Sequence, residues 1–206
     1  GQASSLLQLG NLYDDELNRP EEAVVFYRQA VDIAVEMGDL KNEGIRRNNI
    51  ADTLRKLKRY DEARAEIMRA IECNKPFGHA AEPWTSFSIL QQIEEVTGNP
   101  AAARAAWAQA RDAYLAYRRQ GGYAQGEEGQ LVDQLLGMIQ QGQSGEVMQF
   151  LEQAPEAADT PDWIKVLAPK ILAILQGSRD KSLGDDPALY YADAAEVLFL
   201  IERLGG

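Results

Sequence analysis

The sequence predicts an all-α protein: an array of antiparallel helix pairs closed by a C-terminal helical cap. Three observations carry that expectation. Alanine recurs at 23, 63 and 103, with Tyr27, Ile67 and Trp107 four residues later and Ala30, Ala70 and Ala110 three beyond those. That small, large, small spacing is one stripe of a helix, and the alanines let a neighbouring helix approach closely. No stretch alternates apolar and polar residues over a useful length, which argues against strands. The turn residues keep the same 40-residue stride, so each unit reads as helix, turn, helix.

Each element follows in order. The first helix of each unit begins its apolar stripe at Leu9, Ile50 and Leu90. Asn18, Asp61 and Asn99 fall at or near the turns between paired helices. Pro20 and Pro100 suit a first helical turn, where a missing N–H costs nothing. Gly38-Asp39 and Gly78-His79 follow the second helices of units one and two, where Gly can take the left-handed C-terminal position. Gln120 to Gly126 is a Gly-rich connector, with four Gly in ten residues once Gly129 is included. A decayed fourth pair is expected at 127–141 (Leu131, Leu135, Leu136, Ile139) and 144–154 (Val147, Phe150, Leu151), with Ser144 as N-cap. Val147 lies 44 residues after Ala103, so the stride has slipped. Thr160 as N-cap with Pro161 next predicts a helix carrying Trp163, Ile164, Leu167, Ile171, Leu172 and Leu175, ended by Gly177. Asp186-Pro187 is expected to open the last helix, which runs through Leu204. Its apolar residues lie on most sides, so it must be buried or docked. The expected division is three helical hairpins over 1–120, then a degenerate fourth hairpin and capping helices over 121–206.

Composition narrows the function. The 206 residues carry 21 Lys and Arg against 32 Asp and Glu, a net charge of −11. The imbalance is uneven: 16 against 18 in residues 1–120, and 5 against 14 in 121–206. An acidic chain is repelled by phosphate backbones and anionic lipid, so neither nucleic acid nor membrane is expected as a partner. A single Cys excludes an internal disulfide and a thiolate zinc site. No apolar run approaches the ~20 residues of a spanning helix, and no signal peptide opens the chain, so a cytoplasmic location is expected. The sequence starts at Gly1 without Met, which suggests a piece of something longer.

Leu6, Leu9-Gly10, Tyr13, Ala23, Tyr27 and Ala30 together resemble the tetratricopeptide repeat signature. The common repeat is about 34 residues long, whereas this stride is 40. The longer form resembles the repeats of Pins-type (Leu-Gly-Asn) adaptor proteins and, more loosely, kinesin light chain, through Leu9-Gly10-Asn11, Met37-Gly38-Asp39 and Asn48-Asn49-Ile50-Ala51. The likeness covers residues 4–118. The first unit has one extra residue between Gly10 and Ala23, and the third has Gln91 where Gly or Ala is usual and Glu94 where Tyr is usual. Residues 127–204 resemble the weakly patterned tails that follow such repeats in bacterial proteins.

The resemblance implies a right-handed superhelix whose concave groove, lined by the first helix of each pair, clamps an extended peptide or a partner helix. Carried over by position, the groove residues are Leu7, Asn11 and Asp14 in unit one, Asn48, Asp52, Arg55 and Arg59 in unit two, and Ser88, Gln92 and Glu95 in unit three. The unit-two set also forms one helical stripe on spacing alone. A solvated helix face would look the same. Arg55 can hold a carboxylate in two parallel hydrogen bonds, and Asn11 and Asn48 can each hold a peptide amide. Asp52 is also placed to pair with Arg55 and Lys56. Where the carboxylate-clamp members of the family carry Lys, Leu7 stands here, which disfavours a chaperone C-terminal tail. Lys41, Arg46, Arg47, Arg55, Lys56, Lys58 and Arg59 form a basic concentration that could attract an acidic segment, including the chain's own C-terminal half.

Catalytic constellations do not emerge. His79 is the one His, which excludes a two-His metal site. Cys73, expected half-buried, lies six residues before it with no oxyanion hole in sight. The Gly-rich connector lacks Gly-Lys-Ser/Thr and follows a helix, so it is no phosphate cradle. Glu127-Glu128 and Asp185-Asp186 suit helix starts. The aromatics are expected in the core, with Trp84 and Trp163 as exposed exceptions. The reading is a non-enzymatic protein-interaction module, without cofactor or metal, that binds a peptide or helix of a partner. The alternative is a structural or self-associating C-terminal segment of a larger signalling protein, its groove filled by its own chain and its last helix pairing two copies. A small-molecule or pheromone sensor would instead need a closed polar cavity.

Overall fold

A computed structural model describes residues 1–157, 159–186 and 188–205, and among these every regular element is helical. In chain order they are α1 (Gln2–Asn11), α2 (Pro20–Glu36), α3 (Leu40–Lys56), α4 (Tyr60–Asn74), α5 (Pro83–Val96), α6 (Pro100–Arg119), α7 (Gly126–Gln140), α8 (Ser144–Gln153), α9 (Asp162–Leu175) and α10 (Tyr191–Leu204). A π-helical turn (Leu12–Glu16) continues α1, and a 3-10 segment (Lys75–Ala81) follows α4. The chain forms two compact units, Gly1–Ala110 and Arg111–Gly206, and the division falls within α6.

In the first unit the alanine stride is a packing stride. Ala23, Ala63 and Ala103 are buried, as are Tyr27, Ile67 and Trp107 and then Ala30, Ala70 and Ala110. Tyr27, Ile50, Leu54, Ile67 and Ile93 belong to one apolar cluster, with consecutive helices α1 to α5 packed in sequence. The approach is close. A Cβ on Gly10 of α1 would sit 2.2 Å from a ring carbon of Tyr27 on α2, and one on Gly44 of α3 would sit 2.2 Å from Asn74 Oδ1 on α4.

The turns repeat as faithfully. Asn18, Lys58 and Gly98, forty residues apart, all adopt positive φ, at 49°, 61° and 77°. After Lys58 and Gly98 the next N–H returns to the carbonyl five residues back: Arg59 to Leu54 and Asn99 to Glu94, each at 2.9 Å. This is the Schellman closure of a helix C-terminus. Gly38 closes α2 the same way, through Asp39 N to Ala34 O, and Asp39 then caps α3 by accepting from Asn42 N. In the first hairpin the return is from Arg19 to Tyr13, one residue longer. The extra residue between Gly10 and Ala23 is taken up by the π turn, whose Leu17 N–H reaches Leu12 O.

Several residues depart from their expected places. Trp84 is buried, at 1% exposure, because α5 begins at Pro83 and turns the next side chain inward; Trp163 is half-buried. Cys73 is fully buried. Gly78 does have positive φ, but it lies inside the 3-10 segment and not directly after α4. Ser144 is the first residue of α8, with Gln143 at the N-cap. Thr160 donates its hydroxyl to Ala154 O, so Pro161 holds the N-cap position of α9.

The second unit packs α7 on α8, α8 on α9, and α10 on both α9 and α7. The last helix begins at Tyr191, later than expected; Pro187 lies outside the described residues, and Lys181–Asp185 forms a short 3-10 turn against α10. Glu127 and Glu128 do occupy the first turn of α7. Asp185 and Asp186 instead precede α10 and pair with Arg111 and Lys170. Gly129 lets α7 approach α10: a Cβ there would meet Glu196 Oε1 at 3.1 Å.

Candidate functional site

Adjacent first helices of the first unit are tied side chain to side chain. Asp14, in the π turn, accepts from Thr53 Oγ1 at 3.1 Å and from Lys56 Nζ at 2.9 Å, both on α3. Asn11 Oδ1 accepts from Tyr27 OH at 2.9 Å and from Asn49 Nδ2 at 3.4 Å. On the other side of α3, Asn74 Nδ2 donates to Ser86 Oγ (3.2 Å), which donates to Asn48 Oδ1 (2.9 Å). That relay joins α4, α5 and α3, and all three residues are buried.

The ten expected groove residues divide by environment. Asn11 and Glu95 are exposed; Leu7, Asp14, Asp52, Arg55, Arg59 and Gln92 are half-buried; Asn48 and Ser88 are buried. Arg55 bonds Asp52 through Nε (3.1 Å) and Nη2 (2.7 Å), and Lys56 lies 3.2 Å from the same carboxylate. Glu95 accepts from Gln91 at 2.9 Å. Arg59 departs from the stripe: α3 ends at Lys56 and Lys58 reverses the backbone, so Arg59 caps α4 instead. There it pairs with Glu21 and Glu62 at the starts of α2 and α4. The i, i+4, i+7 part of the stripe survives; the i+11 member does not.

The basic concentration is largely neutralised where it stands. Arg47 bridges Glu43 and Glu66, and Glu43 also takes Arg69. Burial opposes ionisation of Glu43, and these guanidiniums together still hold its carboxyl below its ordinary range. Arg46 is a buried exception. It is 4% exposed, and neither Nε nor Nη1 has a hydrogen-bond partner.

Gln91 and Glu94 read in the sequence only as departures from the family pattern, yet Glu94 is part of the packing. Glu94 is buried and held by Arg64 of α4 at 2.6 Å and by Asn99 at 2.9 Å. The signal was present in the charge of Glu94, one stride after the apolar Leu54.

For nucleophilic chemistry, the Cys73 thiol is pushed up by burial and by the neighbouring Glu43 carboxylate, the reverse of an activated thiolate. Among the described residues no group of three or more His, Cys, Asp or Glu is placed to hold a metal ion, and no helix is long and apolar enough to cross a membrane.

The tetratricopeptide repeat family matches residues 3–34, most of the first helix pair, and 47–75, the second pair from the middle of α3 onward. No curated protein and no solved structure matches the chain. Such repeats are generally protein–protein interaction modules.

Proposed function

The chain is a tetratricopeptide-repeat protein by its first two helix pairs, and from that premise we propose that it binds a segment of a partner protein along the face shared by α1, α3 and α5. The observation that supports this reading is the side-by-side linkage of those helices, Asp14 to Thr53 and Lys56 on one side and Asn48 to Ser86 on the other. Stacked helical pairs offer an extended concave surface built from one helix of each pair. On that face Asn11 presents an exposed amide, and among the described residues Arg55 is tied only to Asp52, three residues away. A pair of that kind is worth little in water, so a partner's carboxylate can displace it at small cost. Asp14, Asp52, Ser88, Gln92 and Glu95 complete a mixed polar rim, which suits an internal peptide or helix over a uniformly charged tail. Arg59 has no part in it.

The role proposed is binding without catalysis. Self-association through α10 has less support, since eight of its fourteen residues are buried within the second unit. The reading is tested with a peptide selected from a displayed random library against the full chain. Its affinity is then measured by fluorescence anisotropy for wild type, Arg55→Glu and Asn11→Ala, with Lys41→Glu as a control outside the face. A loss of roughly tenfold or more for Arg55→Glu with no loss for the control supports the groove; equal affinities for all four proteins reject it.

A further inference from the structure

A cavity of about 170 Å³ opens between the end of α4, the 3-10 segment and the start of α5. Ile71, Pro83 and Phe87 supply its apolar walls, the buried Asn74 and Ser86 lie deepest, and the exposed Lys75 stands at its mouth. Lys75 is turned to Glu72 at 2.6 Å, so its charge is answered outside the cavity.

The 40-residue stride explains why space is left here. One stride earlier, the positions of Pro83, Ser86 and Phe87 are held by Glu43, Arg46 and Arg47. Glu43 is turned to Arg47 and to Arg69 of α4, while Arg46 is buried, so a long side chain of the chain itself holds the position that Ser86 takes one stride later. At the second junction a serine stands in place of the arginine, and its hydroxyl is drawn into the Asn74–Ser86–Asn48 relay. No side chain of comparable length replaces what Arg46 provides.

We propose that this cavity is a receptor site for one apolar side chain, phenyl or branched aliphatic, presented by a partner peptide. The proposal rests on the protein-binding reading and adds a second anchor outside the polar face. The size fits, since an apolar cavity of about 150 Å³ accepts benzene. Ser86 Oγ and Asn74 Nδ2 already serve the relay to Asn48, and Asn74 Oδ1, which has no hydrogen-bond partner, lies against Gly44 of α3, so the site selects by shape and apolarity. Burying a side chain of the occupant in a pocket with apolar walls is the usual form of a peptide anchor.

The test is a backbone-amide NMR titration of the full chain with three probes: benzene, N-acetyl-phenylalanine amide and N-acetyl-alanine amide. The first two should shift Ile71, Gly78 and Phe87 in a saturable way with dissociation constants of about millimolar order, and the alanine probe should not. Ile71→Phe, which grows into the cavity, should abolish both responses while leaving the thermal midpoint unchanged or higher. Benzene binding without binding of the phenylalanine amide would assign the cavity to a free apolar molecule and overturn the side-chain occupant. Shifts spread over the molecule, or unaltered by Ile71→Phe, would overturn the site itself. None of these readouts involves Arg55 or Asn11, so failure of the polar face leaves this result standing, and the reverse.

Discussion

Arg64 of α4 grips Glu94 of α5 across the second and third helix pairs, with Nε 2.6 Å from Oε1 and Nη2 3.2 Å from Oε2. The same Nη2 donates to Thr97 Oγ1, and Asn99 Nδ2 donates to Glu94 Oε2, so the carboxylate is answered on both oxygens. An acid that breaks the family's apolar pattern thus becomes the fastening between two successive pairs.

Removing the acid leaves Arg64 without its main partner in a half-buried place. Glu94→Ala should lower stability by roughly 1–3 kcal/mol, less than for a wholly buried pair because Arg64 keeps access to water. The hydrogen bond from Arg64 is the largest influence holding the Glu94 carboxyl below its ordinary range. Its contribution is therefore complete above the ordinary carboxylate pKa and is lost as pH falls through the lower folded value. Urea titrations at pH 6 and pH 3 should show a steeper acid loss for wild type than for Glu94→Gln.

Lys58 sits at φ 61° in a position where the neighbouring hairpins use Asn18 and Gly98. A side chain there strains the backbone by roughly 1 kcal/mol or more. Lys58→Gly should raise the stability of the first unit by about 0.5–1 kcal/mol, part of the relief being offset by the greater freedom of Gly when unfolded. Its amine enters no ion pair among the described residues, so no lost contact adds to that offset. Thermal unfolding should show the midpoint rising by a few degrees; a fall would mean that the Lys stem packs in a way its backbone does not reveal.

Gly10→Ala should act in the opposite direction. Its methyl would stand 2.2 Å and 2.4 Å from two ring carbons of Tyr27, which is itself buried and bonded to Asn11. The ring cannot retreat without parting α1 from α2, so overpacking of about 1–3 kcal/mol or more is expected. Amide exchange should accelerate first in α1, the helix that would be displaced.

What was legible in the sequence is what recurs locally. Ala23, Ala63 and Ala103 report close helix approach wherever they stand, so their stride carried the fold of the first unit with it. Lys58 was illegible because only Gly or Asn advertises a left-handed turn, and the reversal it makes removes Arg59 from the groove stripe. The extra residue before Ala23 could be counted, but not its absorption as a π turn. Trp84 misled because Pro83 suggests an exposed helix start while saying nothing of which way the next side chain faces. Of the candidate face, the polar stripe on α3 could be read, but the burial of Asn48 depends on Ser86, a residue far along the chain. The environment of Glu196 lay beyond sequence for the same reason, since packing between distant helices decides it.

That environment predicts an inverted pH response for the second unit. Glu196 and Asp193 of α10 are buried, and desolvation pushes each carboxyl up to about 7. Arg118 opposes the shift at Glu196, with Nε 2.8 Å from Oε1 but its N–H not aimed along that line; it also pairs with Asp133 at 2.5 Å. Tyr114 faces Glu196 as well, and Glu128 adds like charge beside Asp193. A carboxyl raised on folding binds its proton more tightly in the native state, so its contribution is complete at low pH and is lost as pH rises between the ordinary value and about 7. Shifts of this size correspond to roughly 3–4 kcal/mol per group as an upper figure. The second unit should therefore unfold at lower denaturant at pH 8 than at pH 5.5, as followed by hydrogen exchange in α10. Glu196→Gln keeps the shape of the acid without its charge, and should flatten that dependence and raise stability at pH 8. If α10 exchanges faster at pH 5.5 once the intrinsic rate is removed, the buried carboxyls are ionised in the folded chain and Arg118 dominates their burial.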